Sequence, residues 1–193
     1  MKLLICDKDG TLVRPKSGGT FVQHPEDQEL IQGVAETIAR YVAEGWTIVI
    51  ASNQGGVSAG YKTLDEAAKE MQFCMKELTP EVDMGMFCPD NGDTIYHLAT
   101  SASKDGRIVW YPRSENYWDI EGMSMFRKPD SGMIEFAKYY FESGAYSFPA
   151  AKYGRNVVVT EILFVGDRPE DQQAAQAAGV NFMWASEWVE SLL

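Results

Sequence analysis

The chain has 193 residues, 28 acidic and 17 basic, for a formal net charge of −11, and 45% of its residues are hydrophobic. That composition excludes a disordered chain, which carries too little apolar material to offset the entropy of ordering, and the length suits a single domain over residues 1–193. The acidic balance argues against a general nucleic-acid or anionic-membrane surface, and no run approaches the ~18–20 apolar residues of a membrane span. A cytoplasmic protein with no membrane partner is expected. Cys6, Cys74 and Cys88 stand far apart without a Cys-x-x-Cys pair and read as buried thiols rather than a disulfide framework.

Lys2–Cys6 is a short apolar run that stops at Asp7-Lys-Asp-Gly-Thr, the pattern of a buried strand running out into a loop. Pro15, Gly18, Gly19 and Pro25 then mark a loop or flap. Leu30, Ile31, Val34, Ile38, Tyr41 and Val42 predict a helix from about Asp27 to Glu44, stopped at Gly45. Trp46–Ala51 is a second strand, ending in Ser52-Asn-Gln-Gly-Gly. Gly55–Thr63 nearly fits a P-loop, but Tyr61 separates Gly60 from Lys62, so a plain connecting loop is expected. Thr63 and Glu66 resemble a capping box, with the helical face Leu64, Ala67, Met71, Met75 behind it.

Val82–Phe87 reads as a third strand. From about Cys88 to Phe126 no period holds, and an irregular insertion is expected at 88–126, with one or two short strands around Arg107–Tyr111. A helix is predicted over Ser131–Phe141 with Gly144 as its stop; a second irregular stretch follows, and then a strand at Glu161–Val165. Pro169 suits the first turn of the next helix and Gly179 its end. Asn181–Trp184 and Ser186–Leu192 supply the last strand and the last helix.

Strands alternating with helices imply parallel βαβ units and hence an α/β, three-layer, Rossmann-like domain with a central parallel sheet. Ligands of such sheets bind beyond the carboxyl ends of the strands, where three polar clusters fall. Residues two apart in an extended segment point the same way, so Asp7 and Asp9 can present two carboxylates to one pocket while Lys8 points aside. Asp167 and Asp171 bring up to four carboxylates near one point, which repel one another unless a cation neutralises them or some are protonated; oxygen ligands suit a hard ion, with Mg2+ the default. Ser52 and Asn53 offer a cradle for phosphate oxygens, and Lys128, entering beside Arg127, adds a fixed positive charge. Together these groups suit phosphoryl transfer through an aspartyl-phosphate, with a second carboxylic acid serving the leaving oxygen and then water. Spacing alone does not say which of Asp7 and Asp9 attacks.

Asp7-Lys-Asp-Gly-Thr-Leu-Val13, Ser52-Asn-Gln, Arg127-Lys-Pro and Gly166-Asp-Arg-Pro-Glu-Asp171 resemble, in order, the motifs of the haloacid dehalogenase-like (HAD) phosphohydrolases. The resemblance implies Asp7 as nucleophile, Asp9 as general acid/base, and Ser52 and Lys128 as phosphoryl ligands. It further implies Mg2+ on Asp7, the backbone carbonyl of Asp9 and Asp167, with Asp171 beside it or as an additional ligand. Ser-Asn-Gln-Gly-Gly followed by Arg-Lys-Pro-x-x-Gly-Met is similar to the branch with little or no cap domain. That branch holds histidinol-phosphate and heptose bisphosphate phosphatases and the 3′-phosphatase domain of polynucleotide kinases.

The first two of these usually carry a zinc loop. Here Cys88-Pro-Asp90 and Met125-Phe126 occupy that region, so no zinc is expected and both substrates are disfavoured. Phe182–Trp188 resembles the ending of the polynucleotide 3′-phosphatases. The expected activity is Mg2+-dependent hydrolysis of a small phosphorylated metabolite, with Arg127 on the substrate. The alternatives are a nucleic-acid 3′ end as substrate and a non-catalytic binding module of the same fold. Arg107, Arg113, Lys152 and Arg155 could supply a basic rim, and Trp110, Tyr111, Tyr117 and Trp118 are expected to pack the insertion.

Overall fold

The first strand, β1 (Lys2–Cys6), dictates the layering. Leu3 and Ile5 point to one face and Leu4 and Cys6 to the other, and all four are fully buried. A strand with no wet face needs cover on both sides. The computed structural model, described for residues 1–102, 108–110, 113–116, 120, 122–143 and 157–191, supplies that cover. Helices α1 (Val34–Ala43), α2 (Leu64–Phe73) and α5 (Ala185–Glu190) bring Val34, Ile38, Met71 and Trp188 to the Leu4 face. Helices α3 (Gly132–Glu142) and α4 (Pro169–Ala178) bring Met133, Phe136 and Ala174 to the Leu3 face.

Among the described residues the main sheet runs in the order β10 (Asn181–Trp184), β9 (Glu161–Gly166), β1, β4 (Trp46–Asn53), β5 (Val82–Cys88), β6 (Thr94–Ala102), β7 (Ile108–Trp110). The strands from β10 to β5 are parallel, and β6 pairs antiparallel to β5. Cys6 stands opposite Ile50 on one side and Val165 on the other, so β9 ends one residue beyond β1 and β4 three residues beyond it. The chain builds outward from β1 first on the β4 side and later on the β9 side. The switch point therefore lies beyond Cys6, where Asp7 emerges.

Three expectations change. The helix expected from about Asp27 begins at Val34, because Gly33 turns the chain at φ +87° just before it. Gln28–Leu30 instead forms β3, antiparallel to β2 (Val13–Pro15), so the flap is a hairpin. Leu30 and Ile31 matched a helical stripe because they pack against the same core as Val34.

The insertion at 88–126 is also less irregular than expected. It contributes β6, β7 and β8 (Arg113–Asn116), the last pairing with β6, and so widens the main sheet. The strand expected around Arg107–Tyr111 is β7, whereas β6 escaped notice because Thr94–Ala102 mixes polar and apolar residues without strict alternation. Ser52 and Asn53, placed after a strand by sequence, are the last residues of β4. Gly144, Leu192, Arg107, Tyr111, Tyr117, Trp118, Lys152 and Arg155 lie outside the described residues, while Arg113 stands opposite His97 and Trp110 opposite Thr100. Among the described residues no helix is long and apolar enough to cross a membrane.

The capping box is formed as expected: Thr63 accepts from the Glu66 amide at 3.2 Å and Glu66 accepts from the Thr63 amide at 2.6 Å. Gly10 has a φ of +92°, and a β-carbon there would collide with the Asp167 carboxylate. Gly10→Ala is therefore expected to destabilise the fold by about 1–3 kcal/mol in denaturant unfolding. An unchanged midpoint would mean that Asp167 is not held against this turn.

Candidate active site

The shared register places Asp7, Ser52 and Asp167 along one edge of the sheet, and the backbone amide of Asp7 is tied to the Val165 carbonyl at 2.9 Å. Lys128 arrives from the segment before α3 and is buried. Its ammonium donates to Asp7 Oδ1 at 2.5 Å and to the Ala51 carbonyl at 2.9 Å, and it pairs with Asp171 Oδ1 at 2.7 Å. All three side chains are buried, so each charge depends on the others; removing one partner of such an arrangement costs about 3–5 kcal/mol.

Burial pushes the Asp7 carboxyl up to about 6; the Lys128 ammonium opposes this, and the neighbouring charges of Asp171 and Asp9 add to it. Burial would lower Lys128, but the negative charges of Asp7 and Asp171 outweigh it and hold the ammonium above its ordinary range. Asp167 is also raised, by burial first, with Arg168 opposing from 4.0 Å. Asp7, Asp167 and Asp171 each place a carboxylate oxygen within 4.8 Å of the others. Three carboxylates against one buried ammonium, with only the exposed Arg168 beside Asp167, leave a net negative charge that a divalent cation with oxygen ligands would balance.

The structure separates the expected site residues by task. Asp171 accepts from the Arg168 amide through Oδ2 at 3.1 Å while Oδ1 meets Lys128, so both of its oxygens are engaged. The Asn53 amide is also committed: Nδ2 donates to the Lys128 carbonyl at 2.9 Å and Oδ1 accepts from the Lys128 amide at 3.1 Å. Asn53 thus latches the segment that carries Lys128, and its side chain is not open to a phosphate. Ser52 Oγ, buried, accepts from Gln54 Nε2 at 3.0 Å, which leaves its own hydrogen to donate. Arg127 donates to the Asp90 carbonyl at 3.2 Å and lies over Gly55, at the rim.

The Asp9 carboxylate is not part of the three-carboxylate group. It takes Lys8 Nζ at 2.6 Å on one oxygen and Gln54 Nε2 at 2.8 Å on the other. Burial alone would raise Asp9, but the Lys8 charge and the bonds from Lys8 and Gln54 hold it below the usual carboxylate range. Lys8 therefore does not simply point aside: it is 1% exposed and its ammonium turns onto Asp9. Alternation along a strand did not apply because the chain leaves β1 at Cys6 and turns, with the Leu12 and Val13 amides both bound to the Lys8 carbonyl. Gln54 and Thr11, whose hydroxyl donates to Asp167 at 3.4 Å, were also missed. Both stand inside the motifs Ser52-Asn-Gln and Asp7-Lys-Asp-Gly-Thr, which was the cue available in the sequence.

In the Cys88-Pro-Asp90 segment, Cys88 Sγ donates to Asp90 at 3.5 Å and Asp90 Oδ1 takes the Gly92 amide at 2.9 Å. Burial pushes the Cys88 thiol up to about 12.

Residues 2–185 match the family model described as polynucleotide kinase 3 phosphatase. The chain is 26% identical over 182 residues to the D-glycero-beta-D-manno-heptose-1,7-bisphosphate 7-phosphatase of Pseudomonas putida, covering 93% of this chain and 79% of that one. It is 30% identical over 176 residues to the enzyme of the same name from Pseudomonas aeruginosa, covering 91% and 75%. It also resembles the crystal structure of D,D-heptose 1,7-bisphosphate phosphatase from B. bronchiseptica complexed with magnesium and phosphate. The TM-score is 0.59 at 25% identity, over 94% of this chain and 79% of that one. The chain belongs to the polynucleotide kinase 3 phosphatase family, among the HAD-like phosphatases.

Proposed function

We propose that this phosphatase hydrolyses a small phosphorylated sugar through a phosphoenzyme on Asp7. The observation that carries the reading is the Lys128 ammonium, buried between Asp7 and Asp171 beside a group of three carboxylates. Asp7 attacks phosphorus, forming an acyl phosphate while the bond to the leaving oxygen breaks. Asp9, as the carboxylic acid, gives that oxygen its proton. The Ser52 hydroxyl donates to a phosphoryl oxygen, and the Lys128 ammonium, its hydrogens shared with Asp7, Ala51 and Asp171, offsets the phosphoryl charge electrostatically. Asp9, now a carboxylate, takes a proton from water as the water attacks phosphorus; inorganic phosphate leaves and Asp7 is regenerated.

The low resting value of Asp9 suits its second role, and an incoming phosphate dianion would raise it for the first. Asp7, Asp167 and the backbone carbonyl of Asp9 would hold Mg2+, with Asp171 fixing Lys128 alongside. The bound ion would neutralise the carboxylates and the phosphate oxygens. Arg127, at the rim, is placed to meet a second polar group of the substrate.

The sugar phosphate is supported by the relatives, which are named as heptose bisphosphate phosphatases although this chain has lost most of the zinc-loop residues. A polynucleotide 3′-phosphate remains the second reading because the family model carries that name, while a net charge of −11 disfavours a polyanionic strand. At fixed Mg2+, phosphorylated sugars are expected to exceed a 3′-phosphorylated oligonucleotide in kcat/KM by about tenfold or more. The opposite ranking would transfer the assignment to the nucleic-acid end.

Asp7→Asn is expected to lower turnover by at least about a thousandfold with the fold retained, and chelation of divalent ions should abolish wild-type activity. Activity that survives either treatment would remove the reaction scheme. The pH dependence follows from Asp7, which attacks only when ionised and whose value lies above the ordinary 3.8. Activity should therefore fall as pH drops through about 6 at low Mg2+. Because a cation and a proton compete for Asp7, raising Mg2+ should move that limb to lower pH, and a limb independent of Mg2+ would contradict the shared site.

A further inference from the structure

Lys8 is buried, yet its ammonium could have been replaced in this space by an apolar chain of similar length without desolvating a charge. Its partners explain its presence. Nζ donates to Asp9 Oδ1 at 2.6 Å and to Gln28 Oε1 at 3.1 Å. Gln28 is itself fully buried, and its Nε2 donates to the Pro25 carbonyl at 2.9 Å and the Glu70 carbonyl at 3.1 Å. With the amide nitrogen spent on two carbonyls, its oxygen is the atom that must face Lys8. The Glu70 carboxylate is taken by Lys62 at 2.6 Å, so it does not draw Lys8 away from Asp9.

We infer that Lys8 is a positioning residue: its ammonium, clamped by Gln28 of the β2–β3 hairpin, fixes the carboxyl group of Asp9 toward the leaving oxygen. The inference rests on the role proposed above for Asp9. Asp9 is the less covered member of the pair, its side chain 38% exposed, and needs restraint to act in one direction. Two donors from different elements provide it, Lys8 on Oδ1 and Gln54 on Oδ2. Gln54 also bonds Ser52 Oγ at 3.0 Å, so the same restraint reaches a proposed phosphoryl ligand.

A residue that aims a general acid matters in proportion to how badly the leaving group needs a proton. The experiment compares kcat/KM for p-nitrophenyl phosphate, whose leaving group departs as the anion, with that for an alkyl phosphate, whose alkoxide must be protonated. At saturating Mg2+, Lys8→Met is expected to lower the alkyl ester about 10- to 100-fold and the aryl ester no more than about threefold, with Lys8→Arg restoring most of the difference. Gln28→Met, which keeps Lys8 but removes its clamp, should move the ratio in the same direction by less. It also serves if Lys8→Met does not fold.

Equal losses on both esters, or an unchanged ratio in the folded variants, would overturn the inference and leave Lys8 a packing residue. Asp9→Asn separates this from failure of the underlying reading. If Asp9→Asn shifts the ratio and the Lys8 and Gln28 variants do not, only the positioning role fails. If Asp9→Asn leaves the ratio unchanged, the acid role of Asp9 fails with it.

Discussion

A lysine ammonium held out of water between two aspartates is the constraint on which the rest of this site depends. Lys128 can stay charged in that position only because Asp7 and Asp171 are both within 2.7 Å, and Asp171 stays there because the Arg168 amide holds its other oxygen. Three elements from distant parts of the sequence are thereby locked together: the end of β1, the segment before α3 and the start of α4. The arrangement still leaves net negative charge among its carboxylates, so the same contacts that secure the fold build a group that could hold a divalent cation. Stability and the proposed chemistry draw on the same atoms.

The parallel sheet makes this geometry attainable. Each central strand is buried on both faces, so its register is fixed by two cores at once, and a slip of one residue would exchange the two sets of side chains. With register fixed, Cys6, Ile50 and Val165 stand abreast, and the polar residues that follow each strand meet. The acidic surface takes on a local meaning in this frame. Three of the 28 acidic residues form the carboxylate group, while among the described residues many others, such as Glu36, Asp65 and Glu190, are exposed, where they disfavour a long polyanion more than a compact phosphate ester.

Much of this was legible in the sequence because apolar runs with abrupt polar ends locate strands and site together. The bounds of β1 and β10 and the capping box of α2 follow from local pattern, and the motifs around Asp7, Ser52, Lys128 and Asp167 carry the family. What stayed hidden depends on partners remote in the chain. Leu30 and Ile31 fit a helical stripe, and only the pairing of Gln28–Leu30 with Val13–Pro15 decides otherwise. Lys8 was misplaced because its environment is built by Gln28 and the backbone of Glu70. Asn53 has the chemistry of a phosphate ligand, yet its amide is consumed by the Lys128 backbone, a contact across 75 residues.

The central claim is that Asp7 becomes phosphorylated during turnover. Rapid acid quenching under single turnover with a phosphorylated substrate, followed by peptide mass spectrometry, tests it most directly. The account predicts a phosphoenzyme that forms and decays at catalytically competent rates with the phosphate on Asp7. A phosphate on any other residue, or full turnover with no phosphoenzyme formed, would contradict it.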